Sequence, residues 1–270
     1  MQALHVVRVG QGPPVVLVHG SATDHTTWSI QLASPLRQHF ELVTYDRRST
    51  ATVEDQADDL AHVIGSARPI VVGSSFGAVI ALELARAHPE RCRALVLIEP
   101  PMAPSDDPPD FMAAARAALG DEAPAPTQRP ARFLEEFDRI AAQTSGPAAG
   151  EFFLRTVLGD AALAKMPRRF VERAKAKWAE IRADSIALLA YQPRYAELGA
   201  ILLPVLLLGG ERSAPYFRGT LTALAAALPN ARLEVVARAG HMLHADAPYR
   251  FTQILTGFAG ELDVAVAGGS

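Results

Sequence analysis

Ile70-Val71-Val72-Gly73-Ser74-Ser75-Phe76-Gly77 is the stretch that decides the fold. Its first three residues are β-branched and apolar without alternation, the pattern of a strand buried on both faces of a parallel sheet. The residues after it, Phe76 to Ala87, read as an apolar helix that ends before Pro89. A strand that passes straight into a helix must reverse within a residue or two. Such a turn forces the middle residue, Ser75, into a strained conformation and demands small neighbours, which Gly73, Gly77 and Ala78 supply. It also aims the Phe76 N–H and the positive helix end at one point, where an oxyanion could be held. The competing reading of the string alone is a glycine turn with an idle serine.

Outward from this turn, apolar runs recur at Val15–Val18, Leu42–Tyr45 and Ala94–Ile98, separated by helix-like stretches such as Glu54–Ile64. Alternation of this kind predicts βαβ units in a doubly wound, mostly parallel α/β sheet. The pattern breaks at Pro100. Proline-rich connectors at 101–110 and 120–130 flank helix-like pieces, one carrying Phe133, Leu134, Phe137, Ile140 and Ala141. A second piece, after Pro167, spaces Phe170, Ala174, Trp178, Ile181, Ser185 and Leu188 by three or four. Strand signals return at Ile201–Leu208 and Ala231–Val236, around a helical Thr220–Leu228. A last helix is expected from Pro248 to Ala259, with Val264–Ser270 as a frayed tail. The expected division is therefore a sheet domain of residues 1–100 and 196–270, interrupted by a helical lid at 101–195.

Composition narrows the function classes. Of 270 residues, 49% are hydrophobic and 20% charged, enough apolar mass for a sizeable core. A net charge of −3 gives no electrostatic reason to expect nucleic acid or an anionic membrane as partner. The single cysteine, Cys92, forbids an intrachain disulfide and a cysteine-built metal site. No histidine–carboxylate run has metal-ligand spacing, so neither metal nor cofactor is expected. The N-terminus lacks the pattern of a secretory signal, and the apolar runs are too short to span a bilayer. The expectation is a cytoplasmic protein, monomer or homodimer, acting on a small molecule.

Two further motifs accompany the Ser75 turn. His19-Gly20-Ser21 follows the first predicted strand, where a second oxyanion N–H would arise; Ser21 is the first choice and Ala22 the second. His19 is read as a brace of that loop. Gly240-His241 follows the last predicted strand. A histidine can take and return a proton at neutral pH, and the glycine before His241 marks a post-strand loop, so His241 is preferred over His244 as base.

In these residues and their order the chain resembles the α/β-hydrolase superfamily, particularly lid-bearing bacterial serine esterases. The resemblance rests on VVLVHG (15–20), YDRR (45–48), VVGSSFG (71–77), ALELARAHPERCRALVLIEPP (81–101), PVLLLGGERS (204–213) and AGHMLH (239–244). It implies Ser75 as nucleophile, His241 as base, and the N–H groups of Phe76 and Ser21 as oxyanion hole. Two departures stand out. Arg48 is followed by Ser49-Thr50-Ala51 instead of R-G-x-G, and Gly210-Glu211-Arg212-Ser213 carries serine where the family places its acid. Serine cannot supply the fixed charge that stabilises an imidazolium. Glu99, at the end of strand Ala94–Ile98, is the preferred replacement, since some family members take their acid from that strand's end. Glu211, Asp246 or no acid at all are the alternatives.

The resulting expectation is a serine hydrolase cleaving a carboxylic ester or related acyl bond of a largely apolar substrate. The rivals are a same-site C–C hydrolase, lyase or cofactor-free haloperoxidase, and a non-catalytic ligand-binding module.

Overall fold

The computed structural model describes residues 3–49, 51–102, 129–191 and 195–268. Seven strands, β1 (Val6–Val9), β2 (Pro14–Val18), β3 (Glu41–Tyr45), β4 (Ile70–Ser74), β5 (Ala94–Ile98), β6 (Val205–Gly210) and β7 (Ala231–Val236), form one sheet in the order β1-β3-β2-β4-β5-β6-β7. Every pairing is parallel except β1 with β3. The edge strand β1 escaped the sequence reading, because VVRV is only four residues long and half exposed. At the other edge β7 alternates exposed Arg232 and Leu233 with partly covered Glu234, charges that discourage edge-to-edge pairing. The strand expected at Ile201–Leu208 instead begins at Val205, directly after Pro204, whose missing N–H suits it to a strand's approach.

Period-two alternation divides the sheet's side chains between two cores. Val16, Val71, Leu95, Leu97 and Leu207 pack on one face with α2 (Val53–Ile64), α3 (Phe76–Ala87) and a later helix, Pro215–Ala227. Val15, Leu17, Val72, Val96, Ile98 and Leu208 pack on the other face against Trp28, which leads into α1 (Ser29–Ala33), and against the C-terminal helix, through Phe251, Leu255 and Phe258. With both faces covered, β4 and β5 are buried at every position, which is why they read as unbroken apolar runs. Helix α2 starts where Thr52 and Asp55 form a reciprocal capping box.

Between β5 and β6 lie α4 (Arg129–Gln143), α5 (Gly146–Leu158), α6 (Asp160–Leu163), α7 (Arg168–Ala176), α8 (Trp178–Ala190) and α9 (Tyr195–Leu198). The first five have a core of their own around Phe137, Ala149, Leu154, Leu163 and Ile181, and that core includes Ala22 from the loop after β2. The periodic run from Phe170 to Leu188 spans two helices, not one: the chain breaks step at Lys177 (φ −83°, ψ 20°). Helices α10 (Pro215–Ala227), α11 (Leu243–Asp246) and α12 (Pro248–Gly268) complete the chain. The backbone of α12 stays helical to Gly268, beyond the end expected near Ala259. Among the described residues no helix is long and apolar enough to cross a membrane.

Candidate active site

The ends of three adjacent strands carry the residues that the sequence singled out. β4 sits at the centre and leads into Ser75, β2 beside it leads into His19-Gly20-Ser21, and β5 on its other flank leads into Glu99. This is the carboxyl edge of a parallel sheet, where open α/β folds place their ligands.

Ser75 has φ 54° and ψ −122°, a conformation that L-residues rarely adopt, and it caps α3. The strain is held from both sides: the Ser75 N–H donates to the Ile98 carbonyl at 2.8 Å, and its own carbonyl accepts from Ala78 N–H at 2.8 Å. A Cβ on Gly73 would stand 2.4 Å from the Gly77 carbonyl oxygen and 2.5 Å from the Ala78 Cα, so glycine is required there. Phe76 is the first residue of α3, and its N–H belongs to the helix-start donors that have no partner inside the helix.

Glu99 is fully buried, and its Oε2 lies 2.6 Å from His241 Nδ1 while its Oε1 accepts the Gly210 N–H at 2.7 Å. A carboxylate only accepts, so Nδ1 carries the proton and Nε2 is left as the acceptor. Glu99 also has positive φ, 44°. The alternatives are engaged elsewhere: Glu211 accepts the Arg238 N–H at 2.7 Å, and Asp246 accepts the Gly240 N–H at 2.8 Å. Ser213 is buried, and its hydroxyl has no hydrogen-bond partner among the described residues. Phe217 stacks on the His241 ring at 4.2 Å between centroids and 21° between planes.

The remaining histidines separate cleanly. His19 is buried with both ring nitrogens used: Nδ1–H donates to the Gly20 carbonyl at 2.8 Å, and Nε2 accepts the Arg47 N–H at 3.2 Å. Burial, reinforced by the Arg47 charge, pushes its pKa down to about 3. His244 is buried against Trp28, ring centroids 4.4 Å apart, and burial likewise pushes it down to about 3. His25 pairs with Asp46 Oδ1 through its backbone N–H and through Nδ1. His5 joins them, so three groups of metal-ligand type come within 4.8 Å of one another, a cluster no sequence spacing reveals. Two hydrogen bonds to Asp46 Oδ1 already account for the arrangement at His25.

Two cavities meet at Ser75. One, of about 530 Å³, is walled by Phe133, Phe153, Val157, Leu188 and Phe217, with Ser21 and Phe76 beside the serine. The other, of about 390 Å³, shares Ser21, Ser75, Phe153 and Val157 with it and reaches His241. Walls of this composition suit apolar groups. Sequence reasoning missed Asp184 of α8, which lines the larger cavity and is 2% exposed; its neighbour Ile181 was read only as part of a periodic helix face.

Residues 15–254 match the family model described as alpha/beta hydrolase family. The chain belongs to the alpha/beta hydrolase family. Its fold and enzyme class, hydrolase, follow from that membership. Among curated proteins it is similar to the pimeloyl-[acyl-carrier protein] methyl ester esterase of Nitrosomonas europaea, 27% identical over 261 residues that cover 93% of this chain and 97% of that one. Among solved structures it superposes on a thermophilic esterase from Thermogutta terrifontis with a TM-score of 0.71 at 23% identity, covering 96% and 93% of the two chains. The enol-lactonase from Burkholderia xenovorans gives a TM-score of 0.71 at 20% identity, covering 95% and 96%.

Proposed function

We propose that this alpha/beta hydrolase is a serine hydrolase that cleaves a carboxylic ester or related acyl bond of a small, largely apolar substrate. The observation that carries the reading is the 2.6 Å pairing of His241 Nδ1 with the buried Glu99, beside a cavity that Ser75 enters from a strained strand–helix turn. In this account His241 Nε2 takes the Ser75 Oγ proton as Oγ adds to the carbonyl carbon. The Phe76 and Ser21 N–H groups hold the tetrahedral oxyanion. His241 then gives the proton to the leaving oxygen as the C–O bond breaks; water, deprotonated by the same nitrogen, adds to the acyl carbon, and that proton passes to Ser75 Oγ as the acid is released. Glu99 keeps the imidazole in the useful tautomer and stabilises its cation. The helices between β5 and β6 act as a lid whose aromatic wall, Phe133 and Phe153, selects the apolar part of the substrate.

The names of relatives that contain "esterase" and "lactonase" support an oxygen-ester bond as substrate. The test is steady-state hydrolysis of a p-nitrophenyl ester series by the wild type and by Ser75→Ala. Turnover that disappears with the hydroxyl supports the reading, and turnover that survives overturns it.

A further inference from the structure

The loop after β2 is held by an ion pair that crosses from the sheet to helix α8. Arg47 and Asp184 have side chains only 1% and 2% exposed, and Arg47 Nη2 donates to Asp184 Oδ2 at 2.8 Å. The same Asp184 oxygen accepts the Ser21 hydroxyl at 2.7 Å. Arg47 Nη2 also donates to the Gly20 carbonyl at 3.1 Å, the oxygen that His19 Nδ1–H reaches at 2.8 Å, and Nη1 donates to Gln56 at 2.5 Å.

These contacts bear on one peptide unit. The Gly20 carbonyl and the Ser21 N–H belong to the same planar trans amide, so fixing the C=O direction fixes the N–H direction opposite to it. Two donors on the carbonyl and one anchor on the Ser21 side chain leave that amide little freedom. A cation on the carbonyl oxygen also draws electron density from the nitrogen and sharpens the N–H as a donor. Among the described residues, none of the hydrogen bonds takes the Ser21 N–H. The loop sits directly against the nucleophile: a Cβ on Gly20 would lie 2.9 Å from the Ser75 Cβ. Removing a buried charge pair from water is costly, and this one is placed where a fixed amide is useful.

We propose that Arg47 and Asp184 are positioning residues that aim the Ser21 N–H at the oxyanion, so that docking of helix α8 completes the oxyanion hole. The proposal rests on the serine-hydrolase reading. Its consequence is that the pair acts on the transition state and leaves ground-state binding alone.

The experiment compares Asp184→Asn and Ser21→Ala with the wild type on p-nitrophenyl butyrate, each preparation normalised by fluorophosphonate titration of Ser75. Asp184→Asn is expected to lower kcat per titrated site by about tenfold to a hundredfold with KM within about twofold, because only transition-state binding is lost. A trifluoromethyl ketone, which forms a tetrahedral adduct on the serine, should weaken by the same factor as kcat/KM. Ser21→Ala removes only the half-buried hydroxyl that anchors to Asp184 and keeps the N–H, so it serves even where Asp184→Asn folds poorly; a loss of about threefold to tenfold is expected there. Unchanged kcat per titrated site in the folded variants, with only thermal stability lowered, would reduce the pair to a structural brace and overturn the proposal. A rise in KM alone would make Asp184 a substrate contact and also overturn it. A wild type that is neither labelled nor active on esters would instead remove the serine-hydrolase reading, and this proposal with it.

Discussion

Glu99, the first residue after β5, places one carboxylate oxygen 2.6 Å from His241 Nδ1 and the other 2.7 Å from the Gly210 N–H at the end of β6. The carboxylate thus bridges the strand between its own and the histidine's, and both of its oxygens are satisfied in a fully buried position. The serine at 213, where the family pattern leads one to expect the acid, leaves the histidine's partner to come from β5.

Glu99→Gln keeps the shape and removes the charge. Glutamine can also offer its NH₂ to Nδ1, which selects the wrong tautomer, so kcat should fall by about three to four orders of magnitude. Glu211→Gln, whose carboxylate serves only the Arg238 N–H in the described structure, should stay within about threefold of the wild type. Collapse in Glu211→Gln with near-full activity in Glu99→Gln would reverse the assignment. The measurement is steady-state kcat on one ester at neutral pH.

Gly73→Ala should abolish activity and lower the melting temperature, because the added methyl meets backbone 2.4 Å away that cannot swing aside. A cost of about 2–4 kcal/mol is expected, read from urea unfolding. A variant as stable and active as the wild type would show that the turn is looser than described.

His19 and His244 tie stability to pH. Burial holds both at about 3, below the ordinary histidine value of 6.5, so between those values the unfolded chain binds protons that the folded chain refuses. Their effect is nil above pH 6.5, and stability falls as pH drops from 6.5 toward 3, by up to about 1.4 kcal/mol per pH unit for each group. His244→Phe removes one such group while keeping a ring against Trp28. Its urea midpoint should therefore decline less steeply with acid by about one proton's worth. An unchanged slope would mean that His244 titrates normally in the folded state.

Val157 lines both cavities. Val157→Phe should lower kcat/KM for long acyl esters by about tenfold while sparing the acetate ester, since only the longer chains need the filled volume. Equal losses across the series would place the acyl chain elsewhere.

The sheet was legible because burial on both faces leaves a simple mark: β2 through β6 are nearly all apolar, and the Gly73–Gly77 turn follows one of them. The short edge strand β1, half exposed, carries no such mark. Ser75 and His241 stood out because glycine and post-strand loops announce themselves locally. Glu99 emerged only by asking which carboxylate a neighbouring strand could offer. Asp184 and Arg47 were not readable as a pair, since 137 residues separate them and nothing in the YDRR run after β3 points to a carboxylate on α8. The break at Lys177 was hidden for a related reason: three-to-four spacing continues across it.

Ser75 as the attacking nucleophile underlies every step of the proposed reaction. Peptide mass spectrometry after treating the native protein with a fluorophosphonate, which phosphonylates an activated serine, tests it. One adduct per chain is expected on the peptide holding Ser75, with loss of ester hydrolysis in step with labelling and no adduct in Ser75→Ala. Stoichiometric labelling at another residue, or full hydrolysis by the Ser75-labelled protein, would contradict it.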